Sequence, residues 1–424
     1  MVMKISLLWP PELVITESMF THFTGLAEVA SYLKNTSEVR KKSGLDVQVV
    51  DCAVEIVTAL NLANIAYESK IVAVYVNMNN VLEAIKLLHF LKSVNGKICT
   101  VVYGEAVSCN PILFSKVEDI DYVIGNGQAE YGLEYVIIRT SKDDLLEYYD
   151  AKDCYADDCG KIININKRLP ENKWGIPDFD IIPIKRYLEL SKGEIHLLVN
   201  KGCPFHCEFC NERIVSSNRL YYRDQDQVVD YICADYDGSV NSIYLDASTF
   251  TYDKRWILEL CKKVQKREKH LNWKTCTRLD CIDEEIIREM AKSGCTRISI
   301  GVETFDEVIQ KRNRKLVDEE KLVLFSRWCH EVGIQPRALL IIGLDNQSKD
   351  DIYYAMQFCQ KRNIDARFRV LQDYSALINC NDIASLDVTC LDRWNTWNPF
   401  VDMNICELRS IEYPLIKSIG ENYV

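Results

Sequence analysis

The sequence predicts an α/β fold: a doubly wound N-terminal domain, a partial (β/α)6 barrel and an irregular C-terminal tail. Three observations carry this. Short apolar runs alternate with amphipathic helical stretches over residues 1–140, the same rhythm fills 191–374, and a polar connector separates the two.

In the first domain the candidate strands are 5–9, 47–50, 71–76, 98–102 and 122–124, β-branched or aromatic runs bounded by polar residues. Between them, residues 80–94 place Val81, Ile85, Leu88 and Leu91 at helical spacing. Such alternation builds a parallel sheet covered on both faces, which binds ligands at the carboxyl ends of its strands. Residues 141–190 read as a linker, since they carry charge runs, Asn, Gly and three prolines. Cys154 and Cys159 lie there and read as solvated linker residues in preference to a metal site. In the second domain the candidate strands are 196–199, 242–245, 274–277, 297–300, 335–342 and 366–370. Helices at 256–267, 284–292 and 349–362 fall between them. Residues 375–424 are expected to form a substrate-facing extension.

Composition narrows the function classes. At 48% hydrophobic and 27% charged, the chain is neither disordered throughout nor a collagen-like fibre. A net charge of −11 argues against sequence-independent nucleic-acid binding, which needs a basic surface. No stretch approaches ~18 consecutive apolar residues, so no membrane span is expected. The apolar run at 5–9 is cut by Pro10 and Pro11 without a small-residue cleavage site, so it reads as a buried strand and not as a secretion signal. These readings place the protein in the cytoplasm. In that reducing compartment the 18 cysteines are not a disulfide framework. Cys52, Cys99, Cys233, Cys261, Cys295, Cys329 and Cys359 sit singly in apolar or helical settings and read as small core residues.

The strongest chemical signal is KGCPFHCEFC, directly after the apolar run HLLVN. Cys203, Cys207 and Cys210 have the spacing C-x3-C-x2-C. Three thiolates on one loop can ligate three irons of a four-iron cluster and leave the fourth open. A structural zinc ion would need a fourth ligand nearby, and His206 and Glu208, the local candidates, lack zinc spacing.

This loop, with Phe209 immediately before its third cysteine, resembles the signature of radical SAM enzymes, and the resemblance runs through most of residues 195–345. It implies a [4Fe-4S] cluster that binds S-adenosylmethionine (SAM) at the open iron. One-electron reduction then gives methionine and a 5′-deoxyadenosyl radical. An electron donor such as flavodoxin or ferredoxin is implied with it. By the same resemblance, YLDASTFTYD offers Asp246 and Ser248 to the methionine ammonium. TCTRLD offers Arg278, whose fork suits a carboxylate. SIGVET places Glu303 on the ribose, and LLIIGLDNQSKDD places Ile341 and Gly343 near the adenine. His206 reads as a lining residue. Arg312, Arg314 and Lys315 in RNRKL read as a solvated or substrate-facing patch.

The Rossmann-like first domain is similar to the cobalamin-binding domain of B12-dependent radical SAM enzymes, on KISLLWPPE, VVYGEAVSCNP and DYVIGNGQAEYG. In that family a double-glycine loop and a Gly-Glu-Gly-Glu turn let the backbone approach the cofactor. Here Tyr103 replaces the first glycine of the pair, and Asn126 and Gln128 replace the acids, while Gly104, Gly125 and Gly127 remain. Cobalamin is therefore either bound or lost from a retained scaffold, and the departures favour loss. Without it, the radical would remove hydrogen directly from a substrate carbon. A thiol could then return hydrogen from the opposite face. Cys380 is the candidate donor because it follows the last barrel strand. Cys390 and Cys406 would join it only on an auxiliary cluster. By fold-level analogy, the expected reaction is epimerisation of a ribosomally made peptide. The alternatives are a cobalamin-dependent C-methyltransferase of natural-product biosynthesis, acting on a peptide or small molecule, and an iron–sulfur electron-transfer module.

Overall fold

Strand β1 (Met3–Trp9) shows why a parallel sheet forms at the start of the chain. Ile5, Leu7, Leu8 and Trp9 are fully buried, so both faces of the strand are covered, as the near-continuous apolar run requires. The computed structural model describes residues 2–11, 22–39, 44–126, 128–141, 154–212, 220–371 and 374–386. The chain divides into two units at Leu197, and the segment Tyr374–Val388 belongs to the first.

In the first unit β1 is followed by β2 (Leu45–Asp51), β3 (Ile71–Tyr75), β4 (Cys99–Tyr103), β5 (Tyr122–Ile124), β6 (Cys154–Ala156) and β7 (Ile162–Ile165). The spatial order is β2-β1-β3-β4-β5-β7-β6, parallel except for β6 against β7. The order reverses between β1 and β3, which makes their carboxyl ends the switch point where ligands of such sheets bind. Helices Ala59–Glu68, Val81–Val94 and Ala129–Ser141 connect the strands. The first of these starts on a capping box between Thr58 and Asn61.

The stretch expected as a linker differs from that reading. It supplies β6 and β7 to the sheet, with Cys154 buried, and a helix at Ile184–Ser191. Its polar composition belongs to the turns, while Ile162, Ile163 and Ile165 give β7 its buried residues.

The chain enters the second sheet in β8 (Glu194–Leu198), and a short antiparallel ribbon of β9 (Asn200–Lys201) and β10 (Tyr221–Tyr222) follows. Strands β11 (Ser242–Asp246), β12 (Asn272–Thr277), β13 (Cys295–Glu303), β14 (Gln335–Ile342) and β15 (Asp365–Val370) complete it in the order β15-β14-β13-β12-β11-β8. Neighbours from β11 to β15 are parallel, the six-strand partial barrel that the sequence predicts. Helix starts are set by aspartates. Asp224, Asp253, Asp283 and Asp318 each accept a backbone N–H of the helix they precede. Cys261, Cys295, Cys329 and Cys359 are buried core residues. Among the described residues no helix is long and apolar enough to cross a membrane.

Candidate active site

The cysteine loop leaves β9 through Gly202, whose φ of 82° turns the backbone where a β-carbon would be strained. Cys207 is buried, and the Cys210 N–H donates to the Cys207 carbonyl at 3.2 Å. The Cys203 sulfur lies 3.8 Å from Thr249 Oγ1. Burial pushes the Cys210 thiol up to about 11, and negative charge at Glu212, Cys207 and Cys203 adds to this. His206 is exposed. Among the described residues no three His, Cys, Asp or Glu side chains converge on a single metal ion. One zinc would need that convergence. Three thiolates bound to three different irons do not. The donor set is three soft sulfurs on one loop, and it fits a four-iron cluster.

The segment that follows helix Glu307–Arg312 braces this loop. The Glu208 N–H donates to the Asn313 carbonyl at 3.3 Å, and Arg314 pairs with Glu208 at 3.0 Å. Lys315 is buried, against the solvated alternative of its RNRKL reading. Its Nζ lies 2.7 Å from Glu303 Oε1 and 5.8 Å from the Phe209 ring centre. Gly301 makes room for this pair, since a β-carbon there would collide with the Lys315 ammonium and the Glu303 carboxylate.

The other residues proposed from the sequence stand at the carboxyl ends of parallel strands. Asp246 ends β11 and is buried. The Ser248 N–H donates to Asn200 Oδ1 at 2.8 Å, and the Asn200 amide donates to the Thr249 carbonyl at 3.1 Å, so Asn200 fixes the turn after β11. Glu303 ends β13 at φ 66°, past a bulge in its pairing with β14. A bulge re-aims a side chain, and the left-handed backbone costs a non-glycine residue about 1–2 kcal/mol. Ile341 lies in β14, and Gly343 follows it at φ 101°. Gln347 clamps that turn by accepting from the Gly343 N–H at 2.8 Å and donating to the Ile341 carbonyl at 2.9 Å.

Arg278, after β12, points its fork at a carboxylate of its own chain. Nε and Nη2 donate to Asp280 at 2.9 and 2.7 Å, and Nη1 donates to the Cys207 sulfur at 3.5 Å. Burial raises the Asp280 carboxyl, but the Arg278 hydrogen bonds and charge outweigh it and hold the carboxyl below its ordinary range. Sequence reasoning missed Asn200, Asp280 and Gln347, and named Lys315 without its carboxylate partner. Only Asp280 had a local signal, its place two residues after Arg278.

The profile of the radical SAM superfamily matches residues 197–359. The chain carries a radical SAM domain. A domain of this kind uses a [4Fe-4S] cluster and SAM. An uncharacterized methyltransferase of Pyrococcus horikoshii is 23% identical over 384 residues, covering 88% of this chain and 81% of the relative. Among solved structures, the radical SAM methyltransferase TsrM of Kitasatospora setae shares 15% identity at a TM-score of 0.67, covering 86% of this chain and 72% of TsrM. The cobalamin-dependent SAM radical enzyme OxsB shares 18% identity at 0.65, covering 99% of this chain and 56% of OxsB. These two likenesses show the fold alone: a Rossmann-like domain and a partial barrel.

At the switch point of the first sheet the protein's own rings fill the crevice. Trp9, at the end of β1, stacks on Tyr75, at the end of β3, at 4.5 Å, and His22 stacks on Trp9 at 4.0 Å. Tyr103, at the end of β4, meets Tyr75 edge-on at 5.4 Å and donates its hydroxyl to the Gly25 carbonyl at 2.9 Å. Trp9, His22, Tyr75 and Tyr103 are all buried. Beneath His22, Asp51 Oδ2 lies 2.5 Å from Nδ1 and accepts from the Tyr187 hydroxyl at 2.7 Å. Gly104 keeps a close backbone approach, with the Val76 carbonyl 2.6 Å from where its β-carbon would stand. As placed, these residues do not fit cobalamin, which would require the rings to leave. Gly127, Cys390 and Cys406 lie outside the described residues.

Cys380, expected at the active-site end of the barrel, belongs to the first unit. The Asn110 amide donates to the carbonyls of Leu377 and Cys380, each at 2.9 Å, and Lys116 donates to that of Asn381. The Tyr374 hydroxyl donates to Glu105 at 2.9 Å. The Cys380 thiol donates to the Asp382 carbonyl at 3.0 Å.

Proposed function

We propose that the chain is a radical SAM enzyme that methylates an unactivated carbon in natural-product biosynthesis. The observation that carries this reading is the reach of the methyltransferase likeness, which covers 88% of the chain and so both units, not the cysteine loop alone. Peptide epimerisation has less support. The Pyrococcus horikoshii relative and TsrM are both named methyltransferases, and neither is an epimerase.

In this reading Cys203, Cys207 and Cys210 hold the cluster, which when bound supplies the electron that cleaves SAM. Asp246 and Ser248 take the methionine ammonium, Glu303 the ribose, and Ile341 and Gly343 the adenine. Each methylation uses two SAM molecules and two electrons from a flavodoxin- or ferredoxin-type donor. One SAM gives up its methyl to a nucleophilic carrier and leaves as S-adenosylhomocysteine. The other becomes methionine and 5′-deoxyadenosine, which carries off the hydrogen that the methyl replaces. The carrier hands its methyl to the substrate carbon radical and is restored by the second electron.

The test is anaerobic turnover of reconstituted protein with methyl-labelled SAM, a reductant and a small-molecule extract of the host cells. The label should enter a new product, with S-adenosylhomocysteine and 5′-deoxyadenosine formed together. Formation of 5′-deoxyadenosine alone, with the label retained in methionine, would overturn methyl transfer in favour of simple hydrogen abstraction.

Glu303 gives a narrower test of SAM placement. Lys315 is bonded to Oε1, which leaves Oε2 to accept from a ribose hydroxyl. Glu303→Ala should weaken SAM binding by about 1.5–3 kcal/mol, the range for a hydrogen bond to a charged group, with iron content unchanged. Glu303→Gln, which retains a partner for Lys315, should lose less. Calorimetry showing unaltered affinity in both variants would leave Glu303 as a structural partner of Lys315 only.

A further inference from the structure

Arg278 is the one strongly held cation that touches a cysteine of the cluster loop among the described contacts, and its setting is built on every side. Its Nε and Nη2 are committed to Asp280, its Nη1 reaches the Cys207 sulfur, and its guanidinium carbon lies 3.8 Å from the centre of the Phe205 ring. The residue is buried, whereas the Asp280 side chain is half-exposed. A guanidinium cannot shed its charge, and its planar fork cannot turn away from Asp280 without losing both bonds. The geometry fixes the third nitrogen on the sulfur.

We infer that Arg278 acts on the cluster and not on the SAM carboxylate: its N–H on Cys207 and its charge hold the reduction potential up, and Asp280 sets how much of that charge the cluster senses. This rests on Cys207 being a cluster ligand. Reduction adds one negative charge to the cluster. A donor on a ligating sulfur and a nearby cation stabilise that added charge, and hydrogen bonds to sulfur are among the terms that set such potentials. The Asp280 carboxylate opposes the effect by pairing with the same cation. The two residues thus pull the potential in opposite directions from one hydrogen-bonded unit.

The experiment is an EPR-monitored redox titration of the reconstituted full-length protein without SAM, for wild type, Arg278→Met and Asp280→Asn, with SAM affinity measured separately. Arg278→Met should make reduction about tenfold less favourable, a shift of about 59 mV downward for one electron. Asp280→Asn should shift the potential upward, since it leaves the cation unopposed. Opposite shifts with iron content preserved are the expected result. A potential unmoved in Arg278→Met, together with a large loss of SAM affinity, would overturn the inference and return Arg278 to the carboxylate. If Arg278→Met fails to hold iron, Asp280→Asn decides: a potential equal to that of wild type overturns the inference. Failure of the wild-type protein to take up a cluster at all would instead refute the ligand assignment on which the inference rests.

Discussion

Replacing Cys203, Cys207 and Cys210 together with alanine is expected to take the protein from about four irons per chain to none and to abolish SAM cleavage. The fold should survive. The loop lies outside both large sheets, and of the three cysteines only Cys207 is buried, so little packing is lost. The braces at Glu208 do not use the thiols: its N–H is held by Asn313 and its carboxylate by Arg314. Iron and sulfide analysis after anaerobic reconstitution, with 5′-deoxyadenosine measured in the presence of dithionite, checks both halves of the expectation. A full cluster retained in the triple variant would refute the assignment. A partial iron content would locate a second site among the remaining cysteines, for which Cys390 and Cys406 are the first to change. Circular dichroism equal to that of wild type would show that the loss is one of ligation and not of folding.

What the sequence made legible follows from which signals are local. The strands announce themselves because both faces of a parallel strand are buried, so runs such as Ile71–Tyr75 are apolar without interruption. The cysteine loop is legible because three ligands sit within eight residues. Glu303 and Gly343 were found by resemblance, but their positive φ and the bulge that aims Glu303 have no local signature. The solvated alternative for Lys315 fails because a charge run in sequence does not show burial. Only the folded loop shows the carboxylate that Gly301 leaves room for, twelve residues back in sequence. The strands at 154–156 and 162–165 are hidden among acidic turn residues, since β7 joins the sheet on β5, some forty residues earlier, and β6 pairs only with β7. Cys380 is placed from the sequence by chain order alone, which carries no sign of its bond to Asn110, some 270 residues away.

Trp9→Ala is the second change with a large expected effect, and it bears on whether the first unit takes a cofactor. If the rings at the switch point are core, removing the central one should cost about 3–5 kcal/mol, as for other large-to-small changes at buried aromatics. For a unit of roughly 200 residues that corresponds to a fall in melting temperature of about 6–20 °C. The effect should centre on the stack, because His22 and Tyr75 both lose the ring between them. The same melting experiment with hydroxocobalamin tests the alternative. A ligand that binds the folded state raises the melting temperature in proportion to the logarithm of its concentration over its dissociation constant. Wild-type protein should show no such rise, because the crevice between β1 and β3 is already occupied by Trp9, His22, Tyr75 and Tyr103. A rise in wild type, with the visible spectrum of bound cobalamin, would mean that the rings swing aside. The reading would then become a cobalamin-dependent methyltransferase. In that case Trp9→Ala should bind cobalamin more readily than wild type and recover part of its lost stability when cobalamin is present. A closed core predicts that neither protein responds, so the pair of melting curves distinguishes a filled crevice from one that opens.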